Sequence, residues 1–334
     1  MVGRADPGVP PGGAGGPARR PRRGAAPVSG ALGRPPIGIV PIVWNNTDVE
    51  TAGPRVPAKV ILDEAARLGF DGVQDGIGFP VGAALRSELG RRGLRLAEVY
   101  AALPCGPDGP GPGALELGRA RLSALHQADG EVLVVAAGLA PGRVERAGRA
   151  GSPGTLRLSE AGWTAFAATL ESLGREAREL GHPLAFHGHA GTFVETPAEI
   201  DRLAGSTDPD LVRLCLDVGH YTIGGGDPIT ALRQYGLRVI HLHMKDVAAD
   251  PLARLRDGRI GGFHEALDAR IFTELGSGVL DLVGVLGALA ETRYGGWLMV
   301  EQDTTWRPPS ESAAIGRNVL DFALRMRANG RWAA

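Results

Sequence analysis

From Ile37 onward, short apolar runs alternate with longer stretches in which apolar residues return every three or four positions. The short runs cover 37–43, 71–77, 94–103, 131–138, 183–189, 212–220, 238–246 and 296–303, and their length and β-branched content read as strands. Between and after them, amphipathic patterns predict helices over 56–70, 81–93, 114–127, 162–181, 197–204, 228–236, 279–295 and 311–330, with a long loop after the seventh strand. Strands that are apolar on both faces and alternate with helices imply a parallel sheet covered on both sides. Eight such strand–helix units imply closure, so the expected fold class is α/β, a (β/α)₈ TIM barrel over residues 36–330.

Residues 1–35 are a different material, rich in Pro, Gly, Ala and Arg and almost without large apolar side chains. Such a segment cannot bury enough surface to offset its chain entropy, and a disordered tail is expected there. Elsewhere composition mainly excludes. A net charge of −1 gives no basic stripe for nucleic acid, and no apolar run is long enough to span a bilayer. Two cysteines, Cys105 and Cys215, cannot form a disulfide framework and suit a reducing cytoplasm.

In a barrel of this kind the chemistry sits where strands end and βα loops begin. Five of the eight histidines fall at such ends: His187 and His189 after strand five, His220 after strand six, His241 and His243 on strand seven. Asp217, Lys245, Asp246, Glu301 and Asp303 occupy the same ends. Side chains two apart on a strand share a face, so His187 pairs with His189 and His241 with His243. A mixed His/Asp/Glu set suits Mn²⁺, Co²⁺, Fe²⁺ or Zn²⁺ better than Ca²⁺. Trp44, Asn45, Asn46 and Asp48 follow strand one and read either as turn formers or as hydroxyl-binding groups. Trp306 and Arg307 follow strand eight and are candidates for the pocket wall. Lys245 and Asp246 read equally as a mutual ion pair or, for Lys245, as a substrate contact.

Several motifs carry a family resemblance. The opening IGIVPIVWNNTD, the segment HGHAGTFVETPAEIDRL, the stretch LDVGHYTIGGGDPITALRQYGLRVIHLHMKDV and the Phe-Thr-x-x-Gly-x-Gly-x-x-Asp pattern at 272–281 resemble the xylose-isomerase-like barrels, and among them the myo-inosose-2 dehydratases, over about residues 37–328. The resemblance implies a divalent metal, Mn²⁺ or Co²⁺ before Zn²⁺, Fe²⁺ or Mg²⁺, held by His187, Asp217, His243 and Glu301. It implies His189, His220 and Lys245 at the substrate as acid and base, with Trp44, Asn46, Gln74, His241 and Arg307 as further substrate contacts. The implied reaction removes water from a small polyhydroxylated ketone, and an isomerase or epimerase using the same enediolate is the alternative. The implied setting is a cytoplasmic enzyme with a small-molecule partner and no nucleic acid or membrane, compatible with a homo-oligomer. Two departures stand out. The family's Glu at the end of strand two is Gln74 here, which cannot transfer a proton unless Asp75 takes over. The end of strand eight is shorter than Glu-x-Glu-Gln-Asp, leaving Glu301 as the single candidate carboxylate before Gln302-Asp303.

Overall fold

The computed structural model describes residues 34–46, 55–303 and 305–328. The expected disordered tail falls almost wholly on residues 1–33, and both these and Asp48 lie outside the described residues. Within the compact unit that begins at Arg34, eight strands form the barrel: β1 (Ile37–Ile39), β2 (Gly72–Gln74), β3 (Arg95–Leu103), β4 (Val132–Ala137), β5 (Leu184–His187), β6 (Arg213–Asp217), β7 (Val239–Met244) and β8 (Trp297–Val300). They pair in parallel in the order β1-β8-β7-β6-β5-β4-β3-β2 and close on themselves.

The helices are α1 (Ala58–Arg67), α2 (Gly82–Gly90), α3 (Ala114–Gln127), α4 (Pro141–Val144), α5 (Glu160–Glu179), α6 (Pro197–Ser206), α7 (Val218–Ile223), α8 (Pro228–Tyr235), α9 (Ala249–Arg256), α10 (Phe263–Asp268), α11 (Leu282–Glu291) and α12 (Pro309–Ala328). Their apolar faces pack on the strands, so that Ile61, Leu89, Leu122, Leu170, Leu203, Leu232, Leu286 and Leu320 join one core with the strand residues. Capping fixes where several helices begin. Thr196 and Glu199 form a reciprocal capping box at α6, and Asp227 accepts two backbone N–H groups at the start of α8. No helix among the described residues is long and apolar enough to cross a membrane.

Three expectations need correction. Strand one stops at Ile39, because Pro41 has no N–H to extend the ladder and Pro41–Val43 coils into a 3₁₀ turn. Strand six ends at Asp217, whose carboxylate accepts the N–H of His220 at 2.8 Å and starts α7, so His220 stands on a helix rather than a strand. The long loop after strand seven contains α9, α10 and a two-stranded ribbon in which Asp246 pairs with Thr273 and Val247 with Phe272. Asp246 does not pair with Lys245. Its carboxylate accepts the N–H groups of Val247, Gly276, Gly278 and Leu280 at 2.8–3.0 Å, clamping both ends of that excursion.

Candidate metal centre and cavity

At the C-terminal mouth of the barrel, β5, β6, β7 and the first residue after β8 bring His187, Asp217, His243 and Glu301 together. One ligand-type atom from each lies within 4.8 Å of the others, and all four residues are buried. Asp217 Oδ2 is 3.4 Å from His187 Nε2 and 3.8 Å from His243 Nδ1, and His243 Nδ1 is 2.5 Å from Glu301 Oε2. Yet Asp217 Oδ2, Glu301 Oε2 and His243 Nδ1 are buried without a hydrogen bond, while His187 presents Nε2 to Asp217 and leaves its Nδ1 unpartnered as well. Buried polar atoms without hydrogen bonds are rare and costly, and a converging set of two imidazoles and two carboxylates is what a first-row divalent cation satisfies. The residues present therefore fit a divalent metal.

Behind this quartet lies a buried charge network. Lys245 Nζ is 2.7 Å from Asp303, 3.1 Å from Glu301 and 3.3 Å from Asp217, and 3.0 Å from His220 Nε2. Burial works against its charge, but the three carboxylates outweigh burial and hold the ammonium well above its usual pKa. Burial also opposes ionisation of Glu301, and Lys245 and His243 reverse that, drawing its carboxyl down to about 2. The close approach of Lys245 to α7 requires Gly219, where a Cβ would lie 2.9 Å from the Cβ of Lys245.

A cavity of about 280 Å³ opens in front of the quartet, lined by His187, His189, His243 and Glu301 on one side and by Gln74, Asp75, Tyr100 and Arg121 on the other. His189 donates Nδ1–H to the carbonyl of Ala190 at 2.7 Å, which leaves its other ring nitrogen as an acceptor. Burial, with His187 and Lys245 adding to it, lowers its pKa to about 3, so the ring is neutral at working pH. Asp75 meets Arg121 at 2.5 Å, and burial raises its carboxyl pKa despite that partner.

The structure places the expected residues unevenly. His187, His189, His243, Glu301 and Gln74 line the cavity, with Asp217 directly behind them. His220 and Lys245 do not reach it: His220 packs its ring on His189 with centroids 3.7 Å apart, and Lys245 is taken up by carboxylates. Four expected substrate contacts are likewise elsewhere. Trp44 turns its indole N–H to Glu64 at 2.9 Å, and Asn46 donates to the carbonyl of Asp303. Arg307 is exposed and paired with Glu274 at 3.1 Å, and His241 is fully buried inside the barrel against Glu98. Asp75, named above as the possible substitute for Gln74, does line the cavity, whereas Glu98, Tyr100 and the Arg121 partner of Asp75 were not anticipated. Glu98 and Tyr100 had a legible signal: they share one face of an otherwise apolar strand, and a lone carboxylate in such a run marks an inward polar position.

The loop that carries His189 is held from below by Glu195, whose carboxylate accepts the N–H groups of Gly191 and Gly148 at 2.7 Å each. Burial pushes its pKa up to about 7. The folded form therefore keeps a proton between pH 4.5 and 7 that the unfolded chain releases. The resulting stabilisation is complete below pH 4.5 and is lost as pH rises through 7, amounting to about 3 kcal/mol. Thermal melts of wild type and Glu195→Gln across pH 5–8 should diverge by a slope of that sign. Parallel curves would show that Glu195 does not titrate in this range.

The sequence comparisons agree with this geometry. Residues 62–321 match the family model described as xylose isomerase-like TIM barrel. The chain is 32% identical to the inosose dehydratase of Geobacillus kaustophilus over 85% of its length and 93% of that protein. It is 35% identical to the rhizopine catabolism protein MocC of Rhizobium meliloti over 85% of its length and 87% of that protein. Among solved structures, the IolI protein with a bound zinc atom superposes with a TM-score of 0.63 at 15% identity, over 86% of this chain and 98% of that one, a likeness of fold. A barrel whose strand ends carry His187, Asp217, His243 and Glu301, and whose sequence runs alongside these relatives nearly end to end, belongs to the xylose isomerase-like TIM barrel family, in its inosose dehydratase branch.

Proposed function

We propose that this chain is a divalent-metal-dependent inosose dehydratase that removes water from 2-keto-myo-inositol or a closely related keto-cyclitol. The observation that carries the reading is the convergence of four buried ligand-type residues, three of whose facing atoms lack hydrogen bonds, at the floor of a cavity with room for one six-carbon ring. His187, Asp217, His243 and Glu301 would hold the ion, with Mn²⁺ or Co²⁺ the preferred choices for this nitrogen–oxygen set. The ion, when bound, supplies Lewis acidity toward the substrate ketone and its neighbouring hydroxyl.

The proton chemistry belongs to the chain. His189, whose Nδ1–H is committed to the Ala190 carbonyl and whose other ring nitrogen is left as an acceptor, takes the proton from the carbon next to the ketone. The electrons of that C–H bond form the new carbon–carbon double bond as the β-hydroxyl leaves. The same imidazolium returns its proton to the departing hydroxyl, so water is released without an external acid. His220, stacked behind His189 and held by Lys245, keeps the ring in place. Gln74, Asp75 and Arg121 on the far wall contact the remaining ring hydroxyls. The two cysteines stand free, Cys215 buried and Cys105 half-buried, which supports a reducing cytoplasmic setting.

The test is turnover of 2-keto-myo-inositol by chelator-stripped and Mn²⁺- or Co²⁺-reloaded protein, followed by the absorbance of the dione product. Turnover that requires metal supports the dehydratase. Solvent deuterium entering the substrate without loss of water would replace it with an epimerase or isomerase, because the same enediolate would then be reprotonated instead of eliminating.

A further inference from the structure

Glu98 is the one carboxylate that projects into the barrel from β3, and it is fully buried. In the closed order of strands, β3 lies diametrically opposite β7. The layers inside such barrels are ordinarily filled with branched apolar side chains. Here the layer beneath the cavity instead holds Glu98, which spans the bore to both histidines of β7. Its oxygens lie 3.0 and 3.1 Å from His243 Nε2, and one of them also contacts His241 Nε2. Burying a carboxylate in a position that Leu or Val could fill contributes little to stability. The placement calls for another explanation.

The two faces of the His243 ring supply it. Nε2 points down to Glu98, and Nδ1 points up to Glu301 Oε2 at 2.5 Å and Asp217 Oδ2 at 3.8 Å. An ionised carboxylate only accepts hydrogen bonds, so the nitrogen facing Glu98 must carry the hydrogen. That choice leaves Nδ1 with its lone pair directed at the quartet. We propose that Glu98 is a positioning residue: a strut across the barrel that fixes the ring orientation and tautomer of His243 so that Nδ1 serves as the metal ligand. Glu98 itself touches neither the cavity nor the ion. The inference rests on the metal centre of the proposed function and adds to it a residue from the opposite wall.

The test is metal binding, measured by titration calorimetry on the stripped full-length protein with Mn²⁺ and no substrate. It compares wild type with Glu98→Gln and Glu98→Leu, and records the melting temperature of each metal-free protein. A glutamine amide can present either its oxygen or its NH₂ to His243, so it no longer selects one tautomer. Loss of the outer partner of a metal-bound histidine typically weakens binding 10–100-fold, and that is the expected effect in Glu98→Gln. At saturating Mn²⁺ the KM for the ketone should stay within about twofold while kcat recovers most of its value, because the strut acts through the ion alone. Glu98→Leu should fold, as an apolar residue suits the layer, and should bind metal at least as weakly as Glu98→Gln. Wild-type affinity in both variants, whatever their melting temperatures, would reduce Glu98 to a structural residue. Two ions bound per wild-type chain would make it a ligand and overturn the strut. No metal binding by the wild type would overturn this inference together with the metal centre, whereas metal binding without dehydration would overturn the activity alone.

Discussion

Asp217→Asn is expected to lower turnover by about 10³-fold or more while leaving the fold intact. The two oxygens of this carboxylate do separate jobs. Oδ1 accepts the N–H of His220 and starts α7, and an asparagine oxygen does that equally well. Oδ2 faces His187, His243 and Lys245 without a hydrogen bond, at the point where the four ligand-type residues converge. Asparagine replaces that anionic oxygen with an NH₂ directed at an ammonium and at the place of a cation. Steady-state kinetics with saturating Mn²⁺ should show kcat lost, calorimetry should show weakened metal binding, and circular dichroism should be unchanged. Activity within tenfold of wild type with normal metal affinity would remove Asp217 from the centre.

Lys245→Met should cause the largest loss of stability. In the metal-free protein this buried ammonium is within 3.3 Å of carboxylate oxygens of Asp217, Glu301 and Asp303. Methionine preserves the bulk and removes the charge, so three carboxylates are left facing one another in a site closed to water. Breaking a buried ion pair from one side costs about 3–5 kcal/mol. For a chain of this size that lowers the melting temperature by roughly 10 °C. The sign of the rescue is diagnostic. Added Mn²⁺ should raise the melting temperature of the variant more than that of wild type, since the ion then supplies positive charge that Lys245 otherwise provides. An unchanged melting temperature would mean that Lys245 is not the counter-charge of this cluster.

The barrel was readable from the chain because each strand is an apolar run of limited length and each helix carries a clean apolar face. Local sequence placed His187, Asp217, His243 and Glu301 at strand ends among several other polar residues, but choosing these four as a set came from the family resemblance and not from the spacing. What lay beyond local sequence was lost. Nothing near Lys245 reveals that Asp303, fifty-eight residues away, withdraws it from the cavity, and nothing near Trp44 reveals that Glu64 on α1 captures its indole N–H. Glu98 belongs to the same class, since its partners lie across the bore. The helices α9 and α10 escaped notice because at eight and six residues they are too short to establish a period.

The clamp made by Asp246 secures the excursion after β7 at both of its ends. One carboxylate ties its entry at Val247 to its exit at Gly276, Gly278 and Leu280, so the ends stay put whatever lies between them. Between them, Phe263 and Phe272 bring their rings to within 5.3–5.8 Å of His189 and His220. The inner surface of the excursion thus presents aromatic rings to the candidate proton-transferring imidazole and to the ring packed behind it. Substitutions at Phe263 or Phe272 should therefore change the surroundings of His189 before they disturb the four residues of the candidate metal centre.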